Sequence, residues 1–535
     1  MKAYPMHLHL HCSHEPTASI GSHMSHAAEL GIRYIWTTEH DTRMGKKSKD
    51  IPFFAFPEKQ LFVTLENGAK AGFQEEYENT GAYAFEESEK GISLNLFAKE
   101  EEREGMFFYS TGKRHSDPLF SRLSVTLDAE IERENENGKV TVEFVLSAQP
   151  PTYKQAKLCY VFGEIPATEQ NVQYLPMPEQ KNGVYLFDLT KDVSEEIGGL
   201  DNALCNIRLR VENGAKLRFH SFAFKRELNF QEVREEQIKL AQKLGEKWGV
   251  TPFVAFEITG AGNHKNCFST KVPVIDYRKF DYKVSNEQAI AHVKEHGGIF
   301  SWNHPFTRVS KREEPRESLF EEVAAELVEN RVYGASLMEV AFPCGRDGFE
   351  EKHYLALWDR LSASGIFITG EGDSDNHHAV ADGWTERNNF CTFVELYDTE
   401  TPNEENFVRA LRRGSVWTGN PVKIRNFTFG GDKIPQGSVV SGRQVRVEFS
   451  ASDIQCDGYA VCIVNGEPVK RVEIERGAVQ GEFVLSNTQK YNFARVEIYD
   501  EKDILIALSN PVYLVKDEKD IPPDAIESGR SVRKK

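Results

Sequence analysis

Apolar and polar positions divide the chain into stretches of different rhythm. Residues 4–10 alternate as a short extended segment, and a polar stretch with Pro16 and Gly21 follows. Ser22 is placed to cap a helix over residues 23–30, which Gly31 ends. Residues 33–38 (RYIWTT) then read as a strand from their aromatic and β-branched content. Two strands joined by a helix predict a parallel pair.

From about residue 51 to 225 the pattern becomes short alternations separated by turn signals, as in RLSVTLDAEIE, GKVTVEFVLS, KLCYVFGE and NIRLRVENG. Strands spaced this regularly predict an antiparallel β-sandwich of jelly-roll type. Helix–Gly–strand alternation resumes at Asn229. FQEVREEQIKLAQKLGEKWG precedes TPFVAFEITG, SNEQAIAHVKEHGG precedes IFSWNHP, SLFEEVAAELVENR precedes GASLMEVAF, and KHYLALWDRLSASG precedes IFITGEGDSDNHH. ENFVRALRRG supplies a last helix, and from about Ser415 the pattern is β again. The expected architecture is an α/β barrel (residues 1–50 and 228–414) interrupted by an inserted sandwich (51–227). A small β domain (415–516) and a charged, mobile tail (517–535) complete it.

Composition narrows the function classes. Hydrophobic residues make up 40% and charged residues 27%, which suits a folded, soluble chain. No apolar run approaches the roughly 20 residues of a membrane span. The opening MKAYPMHLHLHCSH lacks an apolar h-region, so no signal peptide is expected. None of the eight Cys forms a C-x-x-C pair, and a reducing, cytoplasmic setting is expected. A net charge of −17 argues against a nucleic-acid partner.

The sixteen His change the picture, because six fall in the first 26 residues. In His7-Leu-His9-Leu-His11 they alternate, so on a strand they share a face and two imidazoles can grip one cation. The predicted strands end in similar chemistry: Glu39-His40-Asp41, Glu257 with His264 shortly after, Asn303-His304, and Asp373-Ser374-Asp375-Asn376-His377. One His after a strand is usually just a polar loop residue. Five successive strand ends offering His, Glu or Asp are not expected by chance, and α/β barrels place catalytic groups there. Imidazole with carboxylate suits Zn, Mn or Fe.

With these motifs in this order, the sequence resembles the PHP (polymerase and histidinol phosphatase) superfamily. The resemblance rests on H-x-H (His9, His11), Thr38-Glu39-His40, FEIT (Glu257), GNH (His264), NHP (His304) and SDxH (Ser374, Asp375, His377). It spans residues 3–45 and 228–412. The stretch from Arg409 through Gly414 and Thr418 to Pro421, and the later Val464-Asn465-Gly466, are similar to the carbaryl-hydrolase-like branch. The resemblance implies a distorted seven-stranded α/β barrel holding two or three divalent metal ions. Glu257 would bridge, His9, His11 and Asp375 would hold one ion, and His264 and His304 the second. His40 and His377 would hold a third or serve as acid/base groups. A metal-bridged hydroxide would be the nucleophile, so no Ser or Cys is required, and Cys12 reads as a buried small residue.

The sequence departs from the family pattern at His7 and Glu39, where Asp is usual. A His7/His9 register stays open, as do His14, Glu15 and Glu66 as further ligands. Arg43, Lys265, Arg308 and Arg346 follow motifs and are the candidate substrate-binding cations. The implied activity is phosphoester hydrolysis on a small molecule, with carbamate or carboxylic ester hydrolysis as the alternative. A non-catalytic scaffold whose sandwich binds a glycan is the rival from another class. Tyr109, Phe120, Tyr153, Tyr160, Tyr174 and Tyr185 would offer a stacking surface in that case, whereas a structural insert, shaping the site's rim or a homo-oligomer interface, would use them as core.

Overall fold

A computed structural model describes residues 1–42, 60–64, 73–75, 82–89, 91–98, 105–110, 117–280, 284–341, 348–379, 390–430 and 434–534. Arg43, Glu66 and Arg346 lie outside the described residues. The fold is mixed α/β; among the described residues one large mixed sheet carries the helices, the insert contributes two further sheets, and the C-terminal part adds a three-stranded one.

The large sheet begins with β1 (Lys2–Leu10), α1 (Ile20–Glu29) and β2 (Tyr34–His40). After the insert come α2 (Phe230–Trp248), β3 (Thr251–Ile258), β4 (Lys265–Phe268), α3 (Asn286–Glu295) and β5 (Ile299–Trp302). Next are α4 (Arg316–Glu329), β6 (Leu337–Ala341), α5 (Glu351–Ala363) and β7 (Thr369–Gly372). The series ends with β8 (Cys391–Leu396), α6 (Glu404–Arg413) and β9 (Val416–Gly419). β1, β2 and β3 are mutually parallel neighbours, as are β5, β6 and β7, while β4 runs antiparallel between β3 and β5. The sequence reading has no strand at β4, whose KNCF is too short to show a period.

β7 stands at one end of the sheet path, yet it is tied to strands far along it. Thr392 Oγ1 on β8 accepts from Gly372 N at 3.0 Å and donates to Gly372 O at 2.9 Å. Asn510 Nδ2 donates to Gly370 O and Val416 O at 2.8 and 2.9 Å, and His11 N donates to Asn376 O at 3.0 Å. The sheet therefore curls until its two regions meet, and the ends of β1, β2, β3, β5, β6 and β7 face a common point.

The helix boundaries follow local chemistry. α2 starts at a reciprocal Asn229–Glu232 capping box and ends at Gly249, whose φ of 64° is the left-handed conformation that side chains resist. α1 starts three residues earlier than expected. Ser19 is its N-cap, and Ser22, expected as the cap, instead bonds back to Ser19 N from inside the first turn.

The insert's described strands form two sheets around one apolar core that includes Leu127, Phe144, Tyr160, Leu209 and Phe222. Tyr160, Tyr185 and Phe120 are buried, so of the two readings of the insert's aromatics these three follow the one that makes them core. The C-terminal segment corrects the expectation of a mobile tail. Val532–Lys534 pairs parallel with Val439–Ser441, and Arg530, 5% exposed, donates to Phe367 O, Gly437 O, Arg413 O and Thr369 Oγ1. The charges that suggest a solvated tail hide one guanidinium seated among buried carbonyls. Among the described residues no helix is long and apolar enough to cross a membrane.

Candidate metal centre

Alternation sets His9, on β1, and His11, just past its end, on one side, and their Nε2 atoms lie 3.1 Å apart. Glu257, near the end of β3, reaches into this pair from two strands away. Its Oε1 is 3.3 Å from His9 Nε2, 3.2 Å from His264 Nδ1 and 3.3 Å from His304 Nε2. Its Oε2 is 2.6 Å from His40 Nδ1, at the end of β2. Asp375 Oδ1 lies 3.3 Å from His9 Nε2, 3.0 Å from His11 Nε2 and 3.1 Å from His377 Nε2. All eight residues expected as ligands thus converge on one point.

Among the described residues, four overlapping sets place three ligand atoms within 4.8 Å of one another: His11/His40/His377, His9/His11/Glu257, His40/Glu257/His264 and His9/Glu339/Asp373. His7 belongs to none of them, so the described geometry sets His9 and His11, not His7, at the centre. Burial lowers the His7 pKa to about 3, which keeps it neutral.

Backbone strain marks the same place. His304 and Asp375 have φ of 26° and 45°, where non-glycine residues are uncommon. Such conformations persist only where the surroundings over-determine them.

Charge in the cluster is balanced by proximity. Burial would raise the Glu257 carboxyl, but His264 and His40 outweigh it and hold the group well below the usual carboxylate range. Burial alone would depress His377, but Asp375 and Glu15 keep its pKa up at about 9. His11 goes the other way, lowered by burial and by the neighbouring His377 and His40. Imidazole nitrogens facing each other and two carboxylates, gathered at the end of a sheet with His9, His11 and Glu257 fully buried, form a mixed N/O donor set of the kind that suits a transition metal.

The structure gives supporting places to Glu339, which the sequence reading missed, and to Asn303, Glu15 and Glu39, which it named without these roles. Glu339 on β6 accepts from His9 Nδ1 at 2.8 Å and from the His304 backbone N–H. Asn303 donates to Glu257 Oε1 at 2.9 Å, and Glu15 Oε1 lies 2.9 Å from His377 Nδ1. These contacts orient the rings and carboxylates of the cluster from behind. Glu39 accepts from Cys12 N and Ser13 N at 2.6 and 2.7 Å, fixing the loop after β1. Glu339 carries a signal in retrospect, a carboxylate inside the otherwise apolar Leu337–Ala341 strand, because such a residue is almost never fully buried unless paired.

Two candidate substrate cations point elsewhere. Lys265 is fully buried, donates to Ala261 O at 3.1 Å and to Asn263 O, and lies over the Trp302 ring. Burial lowers its pKa to about 8. Arg308 pairs with Glu326 and Glu322 on α4. Both contacts correct the expectation that these residues meet substrate: one side chain is consumed by loop carbonyls and the other by a helix face. Cys12 is buried and its thiol is pushed well up by burial and by Glu39, in keeping with an inert packing role.

No family model matches the chain, and no curated protein matches it. Among solved structures, one from Bifidobacterium adolescentis, provisionally called a metal-dependent phosphoesterase, matches at 11% identity, covering 70% of this chain and 89% of that one with a TM-score of 0.20. A carbohydrate-binding module of type CBM28, specific for non-crystalline cellulose, matches at 16% identity over 31% of this chain and 90% of its own, with a TM-score of 0.19. The Cel12A catalytic domain of Humicola grisea matches at 9% identity over 31% and 91%, with a TM-score of 0.20. At TM-scores this low the likenesses establish neither fold nor activity.

Proposed function

We propose that this chain is a metal-dependent hydrolase of the PHP type, acting on a small phosphoester. The curled sheet is read as a distorted (β/α)7 barrel, with residues 51–227 as an insert in it. The observation that carries the reading is Glu257, a buried carboxylate with four imidazoles from four separate segments within 3.3 Å.

In this reading Glu257 would be shared between sites, His9, His11 and Asp375 would hold one ion, and His264 and His304 would hold another. His40 and His377, beside His11, would hold a third or else serve as acid/base groups. Divalent ions held by such donors supply an activated water and clamp the oxygens of an in-line displacement. The protein's own residues do the rest. Glu339 fixes the His9 ring, Asn303 fixes Glu257, and Glu15 fixes His377. The His40, His264 and His377 side chains are 15%, 33% and 15% exposed, whereas His9, His11 and Glu257 are fully buried, so substrate enters over the former three. His40 and His377 lie on that open side, where a proton can be passed to a leaving group.

Metal analysis of the purified protein, paired with hydrolysis of p-nitrophenyl phosphate and p-nitrophenyl acetate, tests the reading. Bound Zn, Mn or Fe and faster phosphate turnover, both lost in His9→Ala, are the expected results. A protein that takes up no transition metal ends the proposal, and faster acetate turnover replaces the phosphoester with a carboxylic ester.

A further inference from the structure

The insert is seated against the first metal-site loop. Ala148 N and Gln155 Nε2 both donate to Pro16 O, at 3.2 and 3.4 Å. Gln149 Oε1 accepts from Ser19 Oγ at 3.3 Å, and Gln149 is itself held inside the insert by donation to Asn202 Oδ1 at 3.2 Å. Asp201, 4% exposed, accepts from Ile20 N at 3.0 Å and Gly21 N at 2.8 Å, so a carboxylate of the insert closes the first turn of α1. The approach is close: a Cβ on Gly21 would stand 2.9 Å from Asp201 Oδ2. Tyr153 bonds Ser25 Oγ through its hydroxyl at 2.8 Å and stacks on His26 at 4.2 Å.

The other side of the same segment is the metal site. His23, on α1, donates from Nε2 to His11 O at 2.9 Å. Glu15 meets His377, Thr17 O accepts from Ala379 N at 2.8 Å, and Thr17 Oγ1 donates to His377 O at 3.3 Å. Residues 15–23 are therefore a wedge with the insert on one face and the His11 and His377 ligands on the other.

We propose that the insert is a positioning element of the metal centre, in which Asp201 fixes α1 and the 15–19 loop and, through them, His11, Glu15 and His377. The proposal rests on the metal reading of the site. It gives the insert a task toward the hydrolase that requires no ligand of its own. Partners behind metal ligands set metal affinity, and their loss typically weakens binding 10–100-fold. Asp201 touches no reacting group, so it is a positioning residue.

The test is titration of the metal-free full-length protein with Co²⁺, read by the d–d absorption and by dissociation constants, for wild type, Asp201→Asn and Tyr160→Phe. Asp201→Asn leaves a single acceptor for two backbone N–H groups and removes the charge. Tyr160→Phe loses a bond to Asp192 within the insert and serves as the control for a purely structural loss. The expected result is a weakest-bound Co²⁺ held about 10-fold less tightly in Asp201→Asn, with an altered d–d band, while far-UV circular dichroism and the Tyr160→Phe spectrum match wild type. Should Asp201→Asn fail to fold, Tyr153→Phe, which removes only the hydroxyl at Ser25, carries the same expectation. Wild-type protein that binds Co²⁺ with an unchanged Asp201→Asn titration overturns this inference alone, as does an equal change in Tyr160→Phe. Wild-type protein that binds no Co²⁺ overturns the metal reading and the inference together.

Discussion

Glu339 Oε1 lies 2.8 Å from His9 Nδ1, so a carboxylate on β6 fixes an imidazole carried by β1, five strands and more than 300 residues away. The contact turns the ring so that Nδ1 faces Glu339 and Nε2 faces Glu257 and Asp375; burial would lower the His9 pKa, but these carboxylates hold it well above the ordinary value. Glu339→Gln keeps the shape but removes the charge that makes the ring a strong donor. Its metal affinity is expected to fall by about 10–100-fold with the fold intact. Metal content after dialysis against a graded chelator series checks this, and an unchanged content would show that Glu339 does not tune His9.

Metal removal has a stability consequence. Ligand binding to the folded chain alone stabilises it by about 2.7 kcal/mol at 100 times the dissociation constant. Chelator-treated protein is expected to melt several degrees lower, and added Zn²⁺ or Mn²⁺ to restore the loss. Glu257→Gln removes the carboxylate that four imidazoles surround, and its melting temperature should respond little to chelator. Equal melting of wild type with and without chelator contradicts a resident ion.

The site's legibility in the sequence was uneven for physical reasons. The convergence of His9, His11, His40, Glu257, His264, His304, Asp375 and His377 can be read because imidazole or carboxylate at five successive strand ends is not expected by chance, whereas at one end alone it would be ordinary loop polarity. Their order along the chain also reports the order of the strands. Glu339 and Asn303 act on side chains brought beside them only by folding, and no local spacing encodes that. Glu15 was open as a candidate and is placed by its contact with His377. The β4 strand, four residues long, offers no period to detect and runs against its neighbours. Lys265 shows the converse error: a Lys beside a motif His looked available to substrate, but its Nζ is spent on loop carbonyls.

The C-terminal segment is expected to carry stability. Arg530 satisfies four acceptors, three of them backbone carbonyls, while almost fully buried. Arg530→Ala leaves those acceptors without a charged donor, a loss of about 3 kcal/mol when buried groups go unsatisfied. Urea unfolding of the variant checks this, and a change below about 0.5 kcal/mol, the size of an ordinary surface substitution, would return the segment to the status of a solvated tail.

Glu395 makes the fold's stability depend on pH in a direction that can be worked out. It sits on β8, outside the His9–Glu257 cluster, and is 5% exposed. Burial raises its pKa to about 7, against the opposing pull of Gln436, the N-terminal ammonium and Arg413. In the unfolded chain a Glu titrates near 4.3. Below about pH 4 both states hold the proton, and this group contributes no slope. Between about pH 4.5 and 7 the folded state keeps a proton that the unfolded state has lost, so stability falls as pH rises through that window. Above it both states are ionised and the full penalty of the buried charge is present. Glu395→Gln cannot ionise and escapes the penalty, so its stability relative to wild type should climb from pH 4.5 to 8 by as much as about 3 kcal/mol. Urea unfolding of both proteins at pH 4.5, 6 and 8 measures the difference, and one that stays constant across the three would show that Glu395 is ionised throughout and that the chain relaxes to solvate it.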